Sequence, residues 1–178
     1  MEHEHSIRII VEKIDSDDIK VSELALQLLV TAVGIDNDSI SLLASSKICQ
    51  SLKDLAVSKG QRNGYKVLVS HMTHKDVLNG SFQYDTYAVT LINYLVSGEE
   101  LHRRMEERRL LNALKFDRVL RKLEDRCHRA NSGRFDNGAG GRLSISMSVD
   151  DLRLVLLNQI QTYRFVLIVY VLGFEVLS

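Results

Sequence analysis

The chain has 178 residues, of which 45% are hydrophobic and 26% charged, the make-up of one folded domain rather than a disordered segment or two ordinary domains. Its 23 basic and 23 acidic residues cancel, so the totals give no broad electrostatic footprint for DNA or RNA. Proline is absent where average usage would give about nine; this favours helices throughout and excludes a polyproline recognition segment.

Met1-Glu-His-Glu-His5 is acidic and polar and does not read as a secretory signal. Ser16-Asp17-Asp18 then offers N-cap candidates for a helix over Val21–Val33, with Val21, Leu24, Leu28 and Ala32 on one face and Gly34 closing it. Ser39 can cap a second helix, in which Ile40, Leu43, Ala44, Ile48, Leu52 and Leu55 recur mostly at steps of three and four. A turn over Lys59–Gly64 leads to a short helix marked by Tyr65, Leu68, Val69 and Met72, and Asn79-Gly80-Ser81 makes another turn.

The clearest helix runs from about Phe82 to Ser97, with Tyr84, Tyr87, Ala88, Leu91, Ile92 and Leu95 in one stripe. Burying each large side chain contributes roughly 1.5–3 kcal/mol, enough to fix that face against its neighbours. The apolar pattern continues through Leu101, Met105, Leu111 and Leu114, then Phe116, Val119, Leu120 and Leu123. Four glycines and several serines between Asn131 and Ser148 read as a mobile loop. A last helix starts near Ser148, with Asp150 and Asp151 in its first turn. Tyr163–Leu177 is strongly apolar, but it contains Arg164 and Glu175 and is shorter than the about twenty residues a membrane span needs, so membrane association ranks behind a core helix. The apolar ending at Ser178 reads as that of a fragment or shortened isoform.

Short helices with one apolar face each must stack to bury those faces, so the fold class expected is all-α, a right-handed α-solenoid, with a compact bundle as the alternative. The organisation expected is a helical repeat domain over residues 1–130, a flexible Gly/Ser-rich loop over 131–148 and a C-terminal apolar helix over 149–178, its end open to truncation.

Catalytic chemistry finds little footing. His71-x-x-His74 and His3-x-His5 lack the third ligand a zinc site needs, and Gly138-Ala-Gly-Gly141 follows no strand and lacks the Gly-Lys-Ser/Thr ending of a phosphate loop. No nucleophile elbow or metalloprotease motif occurs, and Cys127 and His128 point about 100° apart on a helix. Cys49 and Cys127 read as inert thiols of a reducing compartment. No catalytic residue, metal or cofactor is therefore assigned. The arginines between Glu99 and Arg134 interleave with acids at helical spacing, as in Glu100 and Arg104, and read as a salt-bridged face or, more sharply, as a surface for an acidic partner.

One stripe suggests binding. Thr86, Thr90, Asn93 and Ser97 run beside the apolar stripe of their helix at steps of four, three and four, and Gln27 and Thr31 hold a similar place on the Val21–Val33 helix. In a solenoid the innermost helices line a groove, and small polar side chains there let a partner helix approach; ordinary half-exposed positions are the plain alternative.

Glu23-Leu-Ala-Leu-Gln-Leu-Leu-Val30 and, above all, Tyr84-Asp-Thr-Tyr-Ala-Val-Thr-Leu-Ile-Asn-Tyr-Leu-Val-Ser-Gly98 resemble the armadillo repeats in the N-terminal regulatory region of formins. Tyr65–Met72 followed by Lys75-Asp76 falls where such proteins carry a short helix and an acidic turn. The flavour is nearest the FHOD-type formins, while Glu99-Glu-Leu-His-Arg-Arg104 is closer to the diaphanous type. The similarity spans about Val21 to Leu123; the armadillo region of ELMO proteins carries a comparable stretch and is the alternative. Formins often place a glycine where this chain reads Leu114-Lys115-Phe116, a departure expected to fuse two helices. The resemblance implies an armadillo-like regulatory module in a cytoplasmic, cytoskeleton-associated protein. Its implied partners are a Rho-family small GTPase and the autoregulatory helix of a formin, with actin filaments reached only through the parent protein. The groove implied is lined by Gln27, Thr31, Thr86, Thr90, Asn93 and Ser97.

Overall fold

The computed structural model describes residues 2–73, 82–97, 101–132 and 148–175. Within them the chain is all-α and contains no strand. The helices are α1 (Glu2–Lys13), α2 (Ile19–Val33), α3 (Asp38–Ser58), α4 (Lys66–Thr73), α5 (Gln83–Val96), α6 (Leu101–Ala113), α7 (Phe116–Ser132) and α8 (Val149–Glu175).

Local signals set most of the ends. Asp18 caps α2, its carboxylate accepting from the Lys20 amide at 2.9 Å, and the Gly34 amide closes it on the Val30 carbonyl. Asn37, not Ser39, caps α3, its side-chain oxygen accepting from the Ile40 amide at 3.2 Å, so that helix starts one residue before Ser39. Gly60 takes the left-handed backbone (φ 66°) that lets the chain leave α3. At the head of α8, Ser148 and Asp151 cap each other. The Ser148 hydroxyl accepts from the Asp151 amide, and the Asp151 carboxylate accepts from the Ser148 amide.

α6 and α7 do not fuse. Lys115 turns the chain between them in the left-handed region (φ 55°), so a lysine supplies the bend that a glycine would make without strain. α1 is a helix with no counterpart among the expected elements. Its Val11, with Ile14 just beyond its end, is fully buried. Of the segment read as a loop, 131–132 finish α7, 133–147 lie outside the described residues, and Ser148 caps α8.

The core is built round α5. Ten of its residues are buried, including Tyr84, Ala88, Leu91, Ile92 and Leu95, and it packs on α2 along one flank and α8 along the other. α3, α4 and α6 also touch it, and α1 backs α2 and α3. α5 and α8 run in the same direction: Thr86 meets Leu152 and Asn93 meets Gln159, each 66 residues on. α2 runs parallel too, with Glu23 acting on Asp85 near one end and Gly34 beside Tyr94 near the other. Three parallel helices, separated in the chain by two others each time, thus lie side by side.

α2 packs by a different face from the one expected. Ser22, Ala25, Leu26, Leu29 and Val33 are buried, whereas Val21, Leu24 and Leu28 are exposed. Both sets recur at helical spacing, and periodicity alone does not say which one meets the core.

Candidate functional site

The six polar residues expected to line a groove fall into two groups. Thr86 and Asn93 are buried in the seam between α5 and α8. The Thr86 hydroxyl lies 2.6 Å from the Phe82 carbonyl of its own helix and 3.3 Å from the Leu152 carbonyl of α8. The Asn93 amide donates to the Gln159 main-chain carbonyl at 2.9 Å and to its side-chain oxygen at 2.8 Å. These two side chains hold another helix by its backbone, and that helix belongs to the same chain.

Gln27, Thr31 and Ser97 are exposed and Thr90 is half-buried. Thr31, Thr90 and Ser97 each donate to the carbonyl four residues back, at 2.9, 2.7 and 2.6 Å. Their donors are spent inside their own helices, so these residues offer a partner small size more than hydrogen bonds.

Sequence reasoning missed the apolar residues around them. With α5 flanked on both sides and backed by α3, α4 and α6, its one open line carries Thr90, Tyr94 (42% exposed) and Ser97. On the α2 flank Leu24 (57%) and Leu28 (48%) stand open beside Gln27 and Thr31. On α8, Leu154 (58%) and Phe165 (66%) are also exposed, spaced eleven residues apart along one side of the helix. Clustered exposed apolar side chains, rather than scattered ones, mark interaction surfaces. The signal was present in the sequence: α2 is apolar on two faces, and only one can enter the core.

A polar seam supports this face from behind. Asp85 of α5 is fully buried and pairs with Arg126 of α7, whose guanidinium also lies 4.9 Å from the Phe82 ring centre. Burial pushes the Asp85 carboxyl up to about 6; Arg126 pulls it back and Glu23 adds to the rise. Glu124 of α7 accepts from Gln161 and Arg164 of α8 at 3.2 and 3.0 Å. Phe116 meets Tyr163 edge-on with ring centres 5.2 Å apart.

A second concavity, a cleft of about 570 Å³, opens between α3 and α6. Its walls alternate Lys47, Lys53 and Arg103 with Glu106 and Glu107, and Cys49 lies at its edge. Lys53 and Glu107 pair across it at 3.5 Å. Burial raises the Cys49 thiol, and burial also pushes Cys127 up to about 11, so neither is poised as a thiolate nucleophile near neutral pH.

Among the described residues, no group of three His, Cys, Asp or Glu side chains could hold a metal ion. His71 stacks near Tyr84, with ring centres 5.5 Å apart. His74 and Gly138–Gly141 lie outside the described residues, as do the side chains of His3 and His5. Among the described residues, no helix is long and apolar enough to cross a membrane. No protein-family model, no curated protein and no solved structure matches the chain.

Proposed function

We propose that the chain is an armadillo-like regulatory interaction module of the formin type, whose α2–α5–α8 face receives an amphipathic helix of a partner. In this reading the occupant is the autoregulatory helix of a formin. A Rho-family small GTPase governs its release, and actin assembly is reached through the parent protein. The reading rests on the formin-like stretch Tyr84–Gly98 and on one geometric observation: every third helix of the chain, α2, α5 and α8, lies parallel in a row, and these helices leave Leu24, Leu28, Tyr94, Leu154 and Phe165 exposed along with small polar residues. That combination suits helix-in-groove recognition, in which apolar anchors give affinity and small side chains permit close approach.

The test is a titration of labelled autoregulatory peptide from a formin with the folded chain, followed by capture with a GTP-loaded Rho-family protein. Leu24→Asp with Leu28→Asp alters only exposed positions, so folding should persist while peptide affinity falls by at least about tenfold. A folded wild-type chain that ignores the peptide, or a double variant that binds it equally well, removes this reading. The Asn93 position is unsuited to the purpose, because a change there disturbs α8 before it touches any partner.

A further inference from the structure

The charges that cancel over the whole chain are segregated along it. Residues 1–60 carry ten acidic and six basic side chains, whereas residues 101–132 carry ten basic and five acidic. Part of the second excess forms a line on the outer side of α7. Arg118, Lys122 and Arg129 recur at steps of four and seven, so they share one side of α7 with Asp125, while Lys115 sits in the turn just before the helix; all five are exposed. Two of the nearby acids are engaged elsewhere. Asp117 is taken by Arg121 at 2.5 Å and Glu124 by Arg164 at 2.9 Å. Lys115, Arg118 and Lys122 have no ion-pair partner among the described residues.

The head of this line bears an independent mark. Lys115 is the one non-glycine residue with positive φ among the described residues. Glycine would adopt that backbone freely, so a lysine there trades local strain for a side chain.

We infer that Lys115, in the turn before α7, forms with Arg118 and Lys122 of α7 a docking surface for an acidic polypeptide, separate from the α2–α5–α8 face. The composition of the surface selects a polypeptide over other polyanions. Among the described residues, α6 and α7 expose no Phe, Tyr or Trp ring on which a base could stack, and only Met105 as a large apolar side chain to enter a lipid surface. Asp125 interrupts the cations, which repels an unbroken phosphate backbone but can set the register of a partner that carries one base among its acids.

The experiment uses the full chain and a fluorescein-labelled 20-residue poly-glutamate, read by anisotropy at low salt. Arg118→Glu with Lys122→Glu should weaken binding by about tenfold or more, while Lys13→Glu with Lys20→Glu, on exposed parts of α1 and α2, should change it less than about twofold. Lys115→Gly separates function from folding, because the two effects run in opposite directions. It relieves the backbone and should raise the melting temperature by roughly 2–4 °C, yet it should weaken poly-glutamate binding. Equal loss from both charge-reversal pairs overturns the inference, as does no binding at all, or Lys115→Gly binding as the wild type does. Tighter binding of single-stranded dT20 or phosphatidylserine vesicles, lost in the same α7 variant, overturns it in favour of a nucleic acid or a membrane.

Discussion

Asp85 shows how a single residue sets a pH dependence that its sequence context hides. In the sequence it is one acid in the first turn of an apolar helix, where a carboxylate would ordinarily favour the helix N-terminus. The fold instead buries it against Arg126, with Glu23 of α2 near by, and leaves its Oδ1 without a hydrogen-bond partner among the described residues. Burial outweighs the attraction of Arg126, and the carboxyl rises to about 6 against about 3.9 in an unfolded chain. Between those two values the native state holds a proton that the unfolded state has released. The contribution of Asp85 to stability is therefore greatest below about pH 4, declines as pH rises towards 6, and is flat above. Asp85→Asn removes this dependence while keeping the shape. The expected result is a urea midpoint that, relative to wild type, rises between pH 4 and 6 and then holds constant. A difference that stays level across that window would show that Asp85 is ionised throughout, held there by Arg126.

At the scale of the element, the α5–α8 seam separates polar residues that hold the fold from polar residues that merely face outwards. Asn93→Ala removes two hydrogen bonds to Gln159 and uncovers a buried carbonyl, which should cost about 1–3 kcal/mol. Thr90→Val removes only a hydroxyl bonded within its own helix, and should cost less than about 0.5 kcal/mol. Urea denaturation measures both, and equal costs would mean that the seam is not held as the structure has it. The spacing Thr86–Thr90–Asn93–Ser97 was legible in the sequence, because one helical stripe needs only a period near 3.6. Which of the four meets a neighbour was not, since that depends on α8, about 66 residues further along. The same limit hid the orientation of α2, whose Leu24 and Leu28 compete with Leu26 and Leu29 for the core on equal local terms. It does not hide α1 in principle: Ile7, Ile10, Val11 and Ile14 follow a helical step, beyond a polar start at Met1–His5 that carries no apolar stripe. The elbow at Lys115 was beyond local reasoning, because lysine is among the better helix formers and gives no local signal for a left-handed backbone.

Over the whole molecule, the all-α class and the approximate extent of most helices followed from the absence of proline and the sequence periodicity. The arrangement of the row α2–α5–α8 needed contacts between distant segments. Those contacts bear on how the molecule should come apart. In a stacked array each unit leans on its neighbour, so a lesion at one end loosens that end first; in a closed bundle every helix shares one core and unfolding is all-or-none. Leu156 is fully buried on α8 and lies far along the row from α1 and α3. Leu156→Ala should cost about 2–5 kcal/mol by leaving a cavity. If the row behaves as an array, native-state hydrogen exchange will show that loss in α7 and α8, with a smaller share in α5. The protection of the buried stretches of α1 and α3, around Val11 and Ile48, would then stay near its wild-type level. A fall of equal size in all five helices would instead identify a single closed core. The face bearing Leu24 and Leu28 would then be a flank of a bundle, with no geometric reason to favour a helical partner.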